Sequence, residues 1–389
     1  MANQQLEYDS LLVSLWPESW GDLVRGSLSR PPGRLIQSLA QADGNCLLVA
    51  NPQRSAVTRA AKIVLGEKEP SIPAPQGGES LVLQPFVLRR RIPADLALLR
   101  RNQLYVERSI RRRLKSTGIR RPPLVTFSPF VAAYCRLEWA GPVVYYARDD
   151  WAVHPAYSRW RSALEDAYEQ MRRRETSVVA VSEHLLQRVQ PTGRSIVLPN
   201  GIDESEWLVP TAAPTWVDEL QRPLFVYVGS LDGRLDVEAL EAVRCRFPNG
   251  SIVLAGPLLA GNKLQEFGRR EQVRIVQLSD RTSIVGLVAA ADACLLPHRR
   301  TALTEAMNPL KLFEYLAAGR PTAATNLAGS IDIDPTIRLS TGGEAFADAV
   351  EAALNAGPME EKHRRKFIED NTWIVRHQRL LDFLSPQAD

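Results

Sequence analysis

Short runs of apolar and β-branched residues recur through the first half of the chain: LLVSLW (11–16), CLLVAN (46–51), LVLQPF (81–86), LVTFSPF (124–130), VVYYARD (143–149), VVAVS (178–182) and SIVLPN (195–200). Between most of them lie segments with helical periodicity, such as 33–41, 96–115 and 158–174. Continuous apolar strands alternating with helices predict an α/β chain with a parallel sheet covered on both faces. A turn-rich stretch with prolines, DESEWLVPTAAPTWVDELQRP (203–223), follows, and the same alternation restarts. LFVYVGS (224–230), SIVLAGP (251–257), VRIVQLS (273–279), ACLLPH (293–298) and PTAAT (321–325) read as strands, with helices near 236–247, 283–291 and 309–318. The pattern predicts two doubly wound, Rossmann-like domains at 1–202 and 223–370, a linker at 203–222, and an amphipathic terminal helix within 371–389. At 389 residues the chain is long enough for two cores.

In such sheets ligands bind beyond the carboxyl ends of the strands. That rule singles out Asp149 and Asp150, the loop GSLDGR (229–234), and NPLK (308–311). Two adjacent acids on an extended chain point opposite ways, so one of Asp149 and Asp150 faces a ligand and the other faces structure. The stretch NPLKLFEYLAAGRP (308–321) carries its own helix signals: Asn308 as N-cap, Pro309 at the first position, Gly319 at the end and Pro321 as a stop. Lys311 and Glu314 share a polar stripe on this otherwise apolar helix. The amides at its start together with Lys311 suit an anion such as a diphosphate. A solvated Lys/Glu pair is the plainer alternative.

Composition is that of a soluble globular protein, 45% hydrophobic and 24% charged. No apolar run approaches the roughly 20 residues that span a bilayer, and the polar opening MANQQLEYDS does not read as a signal peptide, so a cytoplasmic protein is expected. Cys46, Cys135, Cys245 and Cys294 form no C-x-x-C pair and read as reduced. The five histidines show no metal-ligand spacing, so neither a metal nor a cofactor is expected. Charge matters where it is concentrated. Arg89–Arg121 carries twelve Lys/Arg against Asp95 and Glu107, a net of +10 in a chain whose total is +4. Leucines among the arginines make this a basic amphipathic helix or helix pair, suited to an anionic membrane surface or a phosphorylated substrate. Nucleic acid fits less well, because Tyr105 is the sole aromatic residue in the segment.

The motifs YYARDDW, VVAVSEHL, IVLPNGID, VYVGSLDGRLD and NPLKLFEYLAAGRP, in this order, resemble bacterial polysaccharide glycosyltransferases of the GT-B architecture, of the teichuronic-acid and xanthan glucuronosyltransferase kind. The resemblance implies an acceptor domain followed by a nucleotide-sugar domain across a cleft, with the last helix crossing back to the first domain and Trp373 as its anchor. It implies a metal-independent hexosyl transfer from a nucleoside diphosphate sugar, UDP favoured, to a saccharide or lipid-linked saccharide in surface polysaccharide synthesis. Glu314 would hold the donor ribose, Lys311 and the helix start at Asn308 the diphosphate, and Gly229 a close backbone approach, with Ser230 and Arg234 as lesser contacts. Asp149 matches the general base of the xanthan-type enzymes, with Asp150 in reserve; Trp151, His154 and Glu305 are further sugar contacts. One departure stands out. Retaining enzymes of the commonest family carry a glutamate eight positions before the ribose-binding one, and here that residue is Ala306, which favours inversion. Two rival functions are a nucleotide-sugar epimerase, which needs no acceptor, and a non-catalytic membrane or nucleic-acid binding protein, which needs neither Asp149 nor Glu314.

Overall fold

The computed structural model describes residues 10–385 apart from 27, 29, 42–45, 66–72, 89–91, 210, 260 and 279. The chain forms two compact units, one from residues up to Pro199 together with those from Arg376 onward, the other Asn200–Val375.

The first unit holds strands β1 (Ser10–Ser14), β2 (Cys46–Ala50), β3 (Arg54–Ser55), β4 (Ser80–Leu83), β5 (Phe86–Val87), β6 (Leu124–Thr126), β7 (Val143–Ala147), β8 (Ser177–Ala180) and β9 (Ser195–Val197). Seven of them make one sheet in the order β4-β2-β1-β6-β7-β8-β9, with every pairing parallel, while β3 and β5 pair apart. The strands are apolar on both faces because helices cover both: Leu12, Leu48, Val49, Val125, Tyr145 and Val179 have almost no exposed surface. The expected strand 124–130 ends early. Ser128 caps Val131 N–H, Pro129 takes the first position, and Pro129–Tyr134 is a helix.

The second unit holds β10 (Leu224–Val228), β11 (Ser251–Ala255), β12 (Val273–Val276), β13 (Ala293–Leu296), β14 (Thr322–Thr325) and β15 (Arg338–Ser340) in the order β12-β11-β10-β13-β14-β15, again parallel. Numbered within the unit this is 3-2-1-4-5-6, the dinucleotide-fold order, whose direction of winding reverses between β10 and β13. Residues 203–222 do not stand free as a linker. Trp207 and Val217 enter the second unit's core, and Ala212 lies so close to Gly286 that a Cβ there would sit 2.1 Å from the Ala212 carbonyl oxygen.

The two passages of chain that bound this unit are tied to each other. Ile202 N–H donates to Asn371 O, Trp373 N–H donates to Ile202 O, both at 2.9 Å, and Gly201 packs against Trp373. Trp373, expected to anchor the terminal helix on the first domain, therefore belongs with residues 201–202. The rest of the Trp373–Leu384 helix meets the first unit through other side chains: His377 reaches Ser38, and Arg194 lies 4.7 Å over the Phe383 ring. No helix among the described residues is long and apolar enough to cross a membrane.

Candidate functional site

Residues that follow β10 and β13 sit at the reversal point of the second sheet. Gly229, directly after β10, has φ +156°, and a Cβ on it would lie 2.7 Å from the Tyr227 hydroxyl. Gly256, after β11, is pressed against it: a Cβ there would lie 2.0 Å from Gly229 O. Only glycine allows this approach. The Tyr227 hydroxyl donates to Ser230 O at 3.2 Å and lies 3.3 Å from His298 Nε2. His298, two residues past β13, was not singled out from sequence. It is 4% exposed; burial and the nearby Arg234 outweigh Asp232 and push its pKa down to about 3, so the ring is neutral. It braces the strand-end turn without adding charge. Arg234 grips Asp232 through Nε and Nη2 at 2.9 and 2.7 Å, and this fork orients its guanidinium within the loop.

The Leu310–Ala317 helix departs from the sequence reading at its start. Asn308 is not its N-cap: the Asn308 side-chain oxygen accepts Asn200 N–H at 2.8 Å, and its backbone oxygen accepts the Asn200 side-chain amide at 2.7 Å. Pro309 occupies the cap position, and no side chain caps the first turn. That end keeps its positive dipole and amide donors. The other end closes as expected: Gly319 has φ +68°, its N–H donates to Leu316 O and Arg320 N–H donates to Tyr315 O, a Schellman pair.

Lys311 and Glu314 are no solvated pair. Glu314 is 3% exposed; Lys311 Nζ lies 2.9 Å from its Oε2, and Arg281 Nη1 lies 2.7 Å from its Oε1. Burial pushes the carboxyl up, yet Arg281 and then Lys311 overcome this and hold it at about 2. Arg281 also binds Glu206 Oε2 at 2.6 Å and lies 5.4 Å over the Trp207 ring. Nothing local marks this arginine beyond its place after the N-cap Asp280, because its partners are remote in sequence. Glu305 is engaged as well: Oε2 accepts Ala328 N–H at 2.8 Å and Oε1 lies 3.3 Å from Arg300.

In the first unit, Asp149 and Asp150 follow β7, with Asp149 at a bend in the chain. Asp150 is 2% exposed; one oxygen pairs with Arg188 at 2.9 Å and the other accepts Ala152 N–H and the Tyr168 hydroxyl. Both of its oxygens are therefore held by structural partners. Asp149 is half-buried. Trp151 packs and offers no sugar platform: at 2% exposure it meets Trp16 and Tyr157 edge-on at 5.0 and 5.2 Å, under the Arg148 guanidinium. His154 caps the turn Pro155–Trp160, its Nδ1 accepting Ala156 N–H at 3.2 Å.

The basic segment is one helix, Leu96–Lys115; Arg89, Arg90 and Arg91 lie outside the described residues. Both of its acids are engaged, Asp95 at the exposed helix start and Glu107 in the interior. Asp95 caps Leu98 N–H at 2.8 Å, and Glu107, 4% exposed, accepts Arg136 N–H, Leu137 N–H and the Trp139 indole N–H at 3.1, 3.0 and 2.7 Å.

Comparison with known proteins fits this layout. Residues 222–356 match the family model described as Glycosyl transferases group 1. A curated relative, the putative teichuronic acid biosynthesis glycosyltransferase TuaH of Bacillus subtilis, is 24% identical over 284 residues, 67% of this chain and 71% of its own. Sucrose-phosphate synthase from Thermosynechococcus elongatus aligns with a TM-score of 0.69 at 15% identity, over 96% of this chain and 98% of that one. Anabaena HepE, solved in complex with UDP and glucose, aligns at 0.60 and 14% identity, over 97% and 99%. An Escherichia coli trehalose-6-phosphate structure bound with UDP-2-fluoro glucose aligns at 0.62 and 13%, over 96% and 98%. With the GT-B fold and a glycosyl transferases group 1 domain within its second unit, the chain is a glycosyltransferase.

Proposed function

We propose that this glycosyltransferase takes its sugar from a UDP-linked donor and delivers it, with inversion, to a lipid-linked saccharide in surface polysaccharide assembly. The observation that carries the reading is the uncapped start of the Leu310–Ala317 helix, with Lys311 in its first turn and an ionised Glu314 one turn on. Free amides, a positive dipole end and an ammonium suit a diphosphate whose charge grows as the glycosidic bond breaks, and no metal is needed for that task. A carboxylate held at about 2 is a pure acceptor at working pH, suited to the two hydroxyls of a ribose. Support for UDP comes from the HepE and Escherichia coli structures, whose ligands are UDP with glucose and a UDP sugar. Support for polysaccharide assembly comes from the teichuronic acid relative.

In this reading Asp149 takes the proton of the acceptor hydroxyl as its oxygen attacks the anomeric carbon, and the carbon–oxygen bond to UDP breaks on the opposite side. Ala306, buried where retaining relatives of the resemblance carry glutamate, fits inversion. The lipid brings the acceptor to an anionic membrane surface met by the basic segment Arg89–Arg121. Differential scanning fluorimetry against UDP, GDP, dTDP, CDP and ADP tests the donor half. A shift selective for UDP, lost in folded Lys311→Ala and Glu314→Gln, is expected. No shift with any diphosphate in the wild type overturns it.

A further inference from the structure

A groove of about 910 Å³ runs between β5 and the Leu96–Lys115 helix in the first unit. Arg101, Tyr105, Arg108 and Arg112 line it at spacings of four, three and four, so they form one row on the helix, roughly 16 Å long at 1.5 Å per residue. Arg113 lines it too, and no carboxylate does. None of these four arginines makes an ion pair with another described residue, whereas Arg100, one position away, is bound to Asp166 at 2.8 Å. The opposite wall is apolar, Phe86, Val87 and Leu88, the last 78% exposed; on the helix itself Leu98 begins the row three residues before Arg101.

The helix Ala56–Val64, which starts at this groove with Ala56, carries its own exposed apolar stripe. Val57, Ala61 and Val64 recur at four and three residues, all exposed, and Leu65 beside them is 73% exposed. A groove that is cationic on one side and apolar on the other, beside an exposed apolar helix face, has the chemistry of an amphiphile with a phosphate at its head.

We propose that this groove seats a membrane lipid, its phosphate on Arg101, Arg108 and Arg112 and the first part of its chain along Leu88 and Leu98, while the Val57–Val64 stripe lies in the acyl layer. The proposal deepens the membrane-facing role given above to the basic segment, and rests on that reading. Charge complementarity commits it to an anionic lipid: a neutral partner would leave the arginine row unpaired.

The test is co-sedimentation of the full chain with vesicles of phosphatidylcholine, with and without about thirty per cent phosphatidylglycerol, and UDP-induced thermal shifts measured on the same samples. Wild type is expected to pellet with the anionic vesicles alone. Arg101→Gln/Arg108→Gln/Arg112→Gln should weaken that binding on the order of a hundredfold, at about fivefold per arginine. Val64→Gln/Leu88→Gln, which leaves the charge unchanged, should weaken it about tenfold. No binding by wild type, or unchanged binding by the arginine variant, overturns the proposal. Unchanged binding by Val64→Gln/Leu88→Gln overturns the seated chain and leaves a charge contact alone. Vesicle binding without any UDP shift sinks the donor reading and leaves the groove standing; a UDP shift without vesicle binding does the reverse.

Discussion

Replacing Arg281 with methionine removes the cation that joins Glu206 to Glu314 and keeps most of the side chain's apolar bulk. Glu314 then remains buried with Lys311 as its sole cation in the network. Its pKa, lowered from 4.5 to about 2, corresponds to about 3 kcal/mol at 1.36 kcal/mol per unit, and Arg281 is the larger of the two charges that lower it. Breaking a buried ion pair from one side costs about 3–5 kcal/mol, and Lys311 offsets part of that. About 3 kcal/mol is therefore expected. If the second unit, Asn200–Val375, unfolds as one body, its melting temperature falls by roughly 6–12 °C at 2–4 °C per kcal/mol. The pH dependence is a sharper reading. A carboxyl with a depressed pKa contributes its stability above its unfolded value of about 4.5 and loses it as pH falls towards about 2. Without Arg281 the pKa of Glu314 rises, so the acid limb of the stability curve moves to higher pH. Urea unfolding across pH 3–7 measures both effects. A loss below about 1 kcal/mol with the acid limb unmoved would refute the claim that Arg281 holds Glu314 ionised.

Gly229→Ala places a Cβ 2.7 Å from the Tyr227 hydroxyl at a φ few side chains adopt, so the UDP-induced shift should shrink and the fold lose about 1–3 kcal/mol; adding Tyr227→Phe should restore part of both. Asp149→Asn should lower sugar transfer by about a hundredfold to ten-thousandfold with the UDP shift intact. Asp150→Asn should instead lower the melting temperature, since it breaks the pair with Arg188. Glu107→Gln cannot serve its three N–H donors as well as the carboxylate does, and about 2 kcal/mol of stability should go while UDP binding, measured by calorimetry, stays unchanged.

The strands were legible because a parallel sheet covered on both faces needs continuous apolar runs, and all twelve runs read from sequence overlap strands of the two large sheets. β15 escaped because three residues, Arg338–Ser340, with two of them exposed, carry no such run. The polar ends of the candidate helix were harder. Asn308 has the chemistry of an N-cap, but a partner 108 positions away takes its side chain, and no local rule predicts that choice. Arg281 was missed for the same reason. That Asp150 is the buried acid of the Asp149–Asp150 pair depended on Arg188 and Tyr168, known only from the fold. The basic segment's charge was plain in the sequence; that Glu107 is drawn inside and that no carboxylate lines the groove was not.

The tie between Ile202 and residues 371–373 makes the second unit an insertion in topological terms. Both of its ends leave from one spot, so a short loop joining Pro199 to Arg376 would bypass the whole second unit. Gly201 sits between the two passages, where a Cβ would lie 2.9 Å from Trp373 N; any larger residue there would pry apart the paired ends of the unit.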